Sequence, residues 1–107
     1  MGEVAVQRDD RGRITGLAFR GVESTTTAGA SANLFLMAVS ALLSEYLHVP
    51  AAGASEVDAD FTVDRSDTHL DREIDAVLET LVIGLRILER EYPSDLVVQE
   101  AKVGVQV

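Results

Sequence analysis

Hydroxyl side chains crowd the stretch Ser24-Thr25-Thr26-Thr27 and recur at Ser31, where a small-residue loop, Gly21 to Gly29, feeds an apolar helix predicted over residues 30–49. A hydroxyl placed there could serve as a nucleophile, with the helix N–H groups holding an oxyanion. It would need a base, and the chain has two histidines, His48 and His69. His48 closes the predicted helix, roughly 20 Å from its start at 1.5 Å per residue. His69 reaches the loop only if the fold brings two helix N-termini together. Ser40, Ser44 and His48 share an i, i+4 ridge, yet only Glu45 stands near enough to orient the imidazole. A polar outer stripe is the better reading of that ridge. The loop hydroxyls read most simply as a small, mobile connection, with Ser31 or Asn33 capping the helix.

Composition narrows the chemistry further. No cysteine is present, which excludes disulfides, thiolate nucleophiles and Cys-ligated zinc. The net charge is −9, from 9 Lys+Arg against 18 Asp+Glu, and repels nucleic acid and anionic membranes while favouring basic partners. Five scattered aromatics, Phe19, Phe35, Phe61, Tyr46 and Tyr92, offer no base-stacking platform. An acidic row, Glu56, Asp58, Asp60 and Asp64, offers oxygen ligands. Same-face neighbours on a strand stand roughly 7 Å apart, so a solvated face is expected there and no metal. No cofactor is expected either. With 47% hydrophobic and 25% charged residues the chain is ordinary for a globular protein. It shows neither a signal-peptide pattern nor an unbroken apolar run of about 18 residues; the expectation is one cytoplasmic domain over residues 1–107.

The elements follow from periodicity. Residues 3–8 alternate, Asp9-Asp10-Arg11-Gly12-Arg13 supplies turn chemistry, and Ile14 to Arg20 resumes an extended pattern, giving a hairpin. The helix over 30–49 carries a broad apolar arc, Phe35, Leu36, Ala38, Val39, Leu42, Leu43, Tyr46 and Leu47, wide enough to suggest burial on several sides; Pro50 stops it. Ala51 to Ser55 reads as a linker. Residues 56–64 alternate as a strand, with Val57, Ala59, Phe61 and Val63 inward. Thr68 and Asp71 suggest a capping box opening a second helix that ends before Pro93. Its core stripe is Leu70, Ile74, Val77, Leu78, Leu81, Leu85 and Leu88, with Gly84 permitting close approach of another backbone. A second stripe, Ala76, Thr80, Ile83 and Ile87, should meet the first helix or another subunit. Leu96 to Val98, then Ala101, Val103, Val105 and Val107, read as a last strand. The order β-β-α-β-α-β predicts an α+β two-layer sandwich: one antiparallel or mixed sheet with two helices on one face.

That order, with Ala38-Val39-Ser40-Ala41-Leu42 in the first helix, Asp67-Thr68 before the second, Glu89-Arg90-Glu91-Tyr92-Pro93 and Leu96-Val97-Val98-Gln99-Glu100, resembles the ribosomal-processing cysteine protease (Prp) family over nearly the whole chain. The resemblance implies a small cytoplasmic homodimer acting on a ribosomal protein's N-terminal extension. It also implies a Gly-His pair, a glycine-rich loop and an Asp-x-x-Cys-Ala-x-x-Ser segment. Anchored on Ser40, the cysteine position is Leu36 and the aspartate position Asn33. The histidine position falls at Ser24, or at Val22 after Gly21. Both catalytic groups are therefore missing, and a leucine supplies no nucleophile. The expected degenerate site is Gly21, Val22, Ser24, Gly29, Ser31, Asn33, Leu36 and Ser40, without catalysis and suited to a basic peptide or ribosomal protein. A Ser/Thr hydrolase built on residues 24–31 and a purely structural homodimer are the alternatives.

Overall fold

Alternating apolar and polar residues mark several, though not all, of the strands of the sheet. The computed structural model describes residues 1–49, 51–52 and 58–102. Strands β1 (Gly2–Arg8) and β2 (Ile14–Arg20) form the expected antiparallel hairpin, with Val4 opposite Phe19 and Val6 opposite Leu17. Helix α1 (Thr27–Glu45) follows, then a two-residue strand β3 (Ala51–Ala52) and β4 (Ala59–Val63). A 3-10 turn (Thr68–Leu70) leads into α2 (Asp71–Glu91), and β5 (Leu96–Lys102) ends the described chain. The strand order is β3-β4-β2-β1-β5. All neighbours are antiparallel except β1 and β5, which run parallel. The sheet is thus mixed, and the helices cover one face. The α+β sandwich is as expected, apart from β3, which sequence had assigned to a linker.

Val4, Val6, Leu17, Phe19, Phe61 and Val98 line the inner face, and Ile74, Leu78, Leu81, Val82, Leu85 and Leu88 of α2 seal it. Of the predicted α2 stripe, Leu70 and Val77 are only partly buried. In β4, Ala59, Phe61 and Val63 point inward while Asp60 and Thr62 are exposed, as are Asp58 before the strand and Asp64 after it, so the acidic row is a solvated face where it is described. Among the described residues no group of acids and histidines is placed to hold a metal ion. The stop at Pro50, the linker from 53 to 55, Glu56 and Val57, and Val103, Val105 and Val107 lie outside the described residues.

Helix α1 corrects several expectations. It begins at Thr27, not residue 30, because Thr26 is the N-cap: its Oγ1 accepts the Gly29 N–H at 3.0 Å. Neither Ser31 nor Asn33 caps it. It ends at Glu45 without reaching Pro50, as Val49 N–H turns back to the Leu43 carbonyl and His48 takes a left-handed φ of 53°. The buried side is Ala28, Gly29, Ala32, Asn33, Leu36 and Leu43. Phe35, Ala38 and Tyr46, expected inside, are exposed, as are Leu34 and Met37. Small residues on the inner side seat the helix against the core, and Leu34, Met37 and Tyr46 on the other side stay exposed. By length and composition alone α1 is long and apolar enough to cross a bilayer, which counting uninterrupted apolar runs had missed; a third of it is buried inside the protein.

Helix α2 departs from expectation at its start. Thr68 and Asp71 make no capping box. Asp67 caps the 3-10 turn by accepting the His69 N–H at 2.9 Å, and the α2 N-cap, Leu70, has no side-chain cap. Asp71 instead receives Arg13 at 3.0 Å and Arg65 at 3.2 Å. Arg65 is buried, bonding the Ile14 carbonyl at 2.8 Å and Asp75 at 2.6 Å. Arg13 continues to Asp9 at 2.8 Å. This chain of ions ties the first turn of α2 to the hairpin, a task that outranks capping.

These pairs set the acid stability. Desolvation works against ionised Asp71, but hydrogen bonds from Arg65 and Arg13 outweigh it and hold the carboxyl below the usual range. Asp9 follows the same balance, with desolvation opposed by the backbone and guanidinium of Arg13. The hydrogen bond from Arg8 lowers Glu100. A carboxyl depressed in the folded state stabilises fully above its unfolded pKa, about 4, and the contribution vanishes as pH falls through the folded value. Thermal melts should therefore show a midpoint that is flat near neutrality and falls progressively below about pH 4.

The β5 edge has its own guard. Val98 N–H, directed away from β1, donates to a Glu89 carboxylate oxygen at 2.9 Å, and Leu96 N–H donates to the Tyr92 carbonyl at 3.2 Å. Glu89→Ala should cost about 1 kcal/mol and speed amide exchange at Val98, whereas Glu89→Gln, which keeps an acceptor, should change little.

Candidate functional site

The site is built where β2 ends and α1 begins. Gly21 turns the chain with φ +64°, a conformation that favours glycine, and its N–H donates to Asp58 Oδ1 at 2.8 Å. Val22 is then buried, and its carbonyl accepts from Asn33 Nδ2 at 3.4 Å. Residues 23–26 form a tight turn: Thr26 N–H and Oγ1 both donate to the Glu23 carbonyl, at 3.3 and 3.2 Å. That carbonyl presses on the helix so closely that a Cβ on Gly29 would lie 1.7 Å from it. Gly29 is thus required for contact with the turn; the sequence marked it only as part of a small-residue loop.

The expected site residues share this neighbourhood unevenly. Val22 and Asn33 are joined directly, and Gly29 lies one helical turn before Asn33 on the same buried side. Leu36, 2% exposed, follows three residues later on that side and belongs to the hydrophobic core. Ser24 is exposed and Ser31 half-buried, and neither makes a side-chain hydrogen bond among those described. Ser40 is half-buried further along α1, where its carbonyl accepts the Ser44 hydroxyl at 3.1 Å. Of the Ser40-Ser44-His48 ridge, the Ser44 hydroxyl is thus taken up by backbone carbonyls.

The two histidines lie away from the hydroxyls. His48 and Val49 share a small pocket with Asp64, Asp67, Leu70 and Ile74. The end of α1 thus meets the start of α2, and the helices run in opposite directions. His69, in the turn opening α2, sits at that far end and is exposed. The two helix N-termini do not meet, so no imidazole serves the 24–31 hydroxyls. Asn33 holds a feature that sequence did not signal: its Oδ1 is buried without a hydrogen-bond partner. Arg65 Nε is similarly unpartnered, but belongs to the ion chain beneath α2.

Between the helices runs an apolar groove of about 210 Å³, lined by Phe35, Ala38, Val39, Thr80, Leu81 and Gly84. Gly84 admits the Phe35 ring, where a Cβ would come within 2.9 Å of Cε2, so the close approach is by an aromatic ring and not by backbone. Of the second α2 stripe, Thr80 lines this groove facing α1, while Ala76 is exposed and Ile83 and Ile87 are 59% and 44% exposed.

No family model matches the chain, and no curated protein matches it. Solved structures do. The essential ribosomal processing protease Prp from S. aureus, in complex with a covalently linked product peptide, superposes with a TM-score of 0.81 at 17% identity, over 94% of this chain and 100% of that one. The same protease with a substrate peptide gives 0.77 at 18%, with 94% and 100% covered. SMU.848 from Streptococcus mutans gives 0.75 at 14%, with 95% and 98% covered. The fold of this chain is the Prp fold.

Proposed function

We propose that this chain is a non-catalytic relative of the ribosomal processing proteases, keeping their scaffold and holding a basic peptide along residues 21–31. The observation that carries the reading is Leu36: a buried aliphatic side chain occupies the position where the resemblance calls for a thiol. Placement of both histidines at the other end of α1 supports it, and so does a chain without cysteine. The net charge of −9 and the exposed Glu23, Asp58 and Asp60 favour a basic ligand. A cytoplasmic location and a single domain go with the resemblance. Titration with a lysine-rich peptide should give binding at low ionic strength that weakens as salt rises; absence of binding at low salt removes the reading. A serine-reactive phosphonate should leave the intact mass unchanged, and an adduct would restore the Ser/Thr hydrolase.

A second reading, the homodimer, is favoured by the exposed Leu34, Phe35 and Met37 of α1 and Ile83 and Ile87 of α2. Isolated apolar side chains are ordinary at a surface, but a contiguous set suits an interface. Light scattering should give twice the chain mass for the wild type and the monomer for Ile83→Glu. A wild-type monomer at micromolar concentration would exclude the dimer.

A further inference from the structure

We infer that two copies of this chain pair about a two-fold axis, the Leu34 side chain of each seated over Ala38 in the groove between α1 and α2 of the other. The inference deepens the homodimer reading and rests on it. The helices are neutral where they face outward. No ionisable side chain occurs in α1 from Thr27 to Ser44, and the adjoining exposed stripe of α2 is Ala76, Thr80, Ile83 and Ile87. Two copies of a chain with a net charge of −9 repel each other over most of their surface, so neutral ground is where they can meet. A basic partner finds no carboxylate there to attract it.

Spacing and size favour a second copy too. Leu34 is 62% exposed and stands one helical turn before Ala38, a small exposed residue in the wall of the groove. Where two helices cross a two-fold axis, residue i of one meets j of the other and j meets i. An axis passing between Leu34 and Ala38 therefore sets each leucine against the partner's alanine, large against small at both junctions. The groove holds about 210 Å³, more than the roughly 150 Å³ that takes a benzene-sized group, so a leucine side chain fits. At roughly 200 Å² for a large apolar side chain, the exposed fractions of Leu34, Phe35, Ile83 and Ile87 offer about 400 Å² per copy. That is half of the roughly 800 Å² a standard interface takes from each partner, and the exposed Ala38, Ala41, Ala76 and Thr80 extend it.

Two single variants and their mixture test the pairing. Leu34→Ala leaves small against small at both junctions, and Ala38→Leu leaves large against large. Each alone should raise the dimer dissociation constant by on the order of a hundredfold. Mixed in equal amounts they should form a heterodimer of nearly wild-type affinity, because each junction again has one leucine and one alanine. Native mass spectrometry separates the three species by mass. Both positions are exposed, so circular dichroism should show the wild-type fold; Ala38→Val carries the test should Ala38→Leu fail to fold. A wild-type dimer that neither variant weakens, or two weakened variants whose mixture does not pair, overturns the inference alone. A wild-type monomer at micromolar concentration overturns the dimer reading as well. A monomer that floats with phosphatidylcholine vesicles overturns both and gives the face to a lipid surface.

Discussion

Gly29→Ala should destabilise this protein by about 3 kcal/mol, at the upper end for a single added methyl. The new Cβ would stand 1.7 Å from the Glu23 carbonyl oxygen, and that neighbour is backbone, which cannot rotate aside. Either the 23–26 turn lifts, giving up the bonds from Thr26, or the first turn of α1 unwinds. Alanine's better helix propensity, about 1 kcal/mol, does not offset this. The midpoint should fall by roughly 12–24 °C at about 4–8 °C per kcal/mol. Gly84→Ala is the control. Its Cβ meets only the edge of the Phe35 ring, 37% exposed and free to swing, so propensity and crowding should leave stability within about 1 kcal/mol. Equal urea midpoints for the two variants would show that the turn is not seated on the helix.

Arg65→Ala should cost about 3 kcal/mol, typical of removing one partner from a buried ion pair. The Ile14 carbonyl loses its donor and Asp75 its cation, while Asp71 keeps Arg13. Because the ion chain joins the hairpin to the first turn of α2, exchange protection should drop first at residues 71–75 and spread. Arg65→Met, which fills the space without charge, should recover part of the loss in packing while still leaving Asp75 without its cation. Urea denaturation measures both. A loss below about 1 kcal/mol in Arg65→Ala would mean that solvent already screens the pairs.

Much of the fold was legible because it rests on local pattern. Strands β1 and β4 announce themselves by alternation, since an amphipathic strand repeats every two residues, and β2 by the turn chemistry before it. The inner side of α2 was legible for the same reason at helical period, Val82 excepted. Helix α1 defeated this reasoning: it is apolar nearly all round, so Leu34, Phe35, Met37 and Tyr46 look in sequence like the buried Leu36 and Leu43. Its start was misplaced because the cap is selected by a turn folding back onto Gly29. The missed roles of Asp71 and Arg65 share that cause, since their partners Arg13 and Ile14 lie more than fifty residues earlier. At the site, the burial of Leu36 follows from its place in the apolar helix. The unpartnered oxygen of Asn33 does not, because it depends on a carbonyl eleven residues away.

The parallel pairing of β1 with β5 has a temporal consequence. During synthesis the hairpin can close as soon as residue 20 clears the ribosome, but the other side of β1 waits for residues 96–102. Until then one flank of an apolar strand is open to any passing chain, the circumstance in which nascent sheets aggregate and chaperones bind. Completion of this sheet therefore waits for β5, and a chain stalled before β5 should be captured by chaperones while one stalled well beyond it is released.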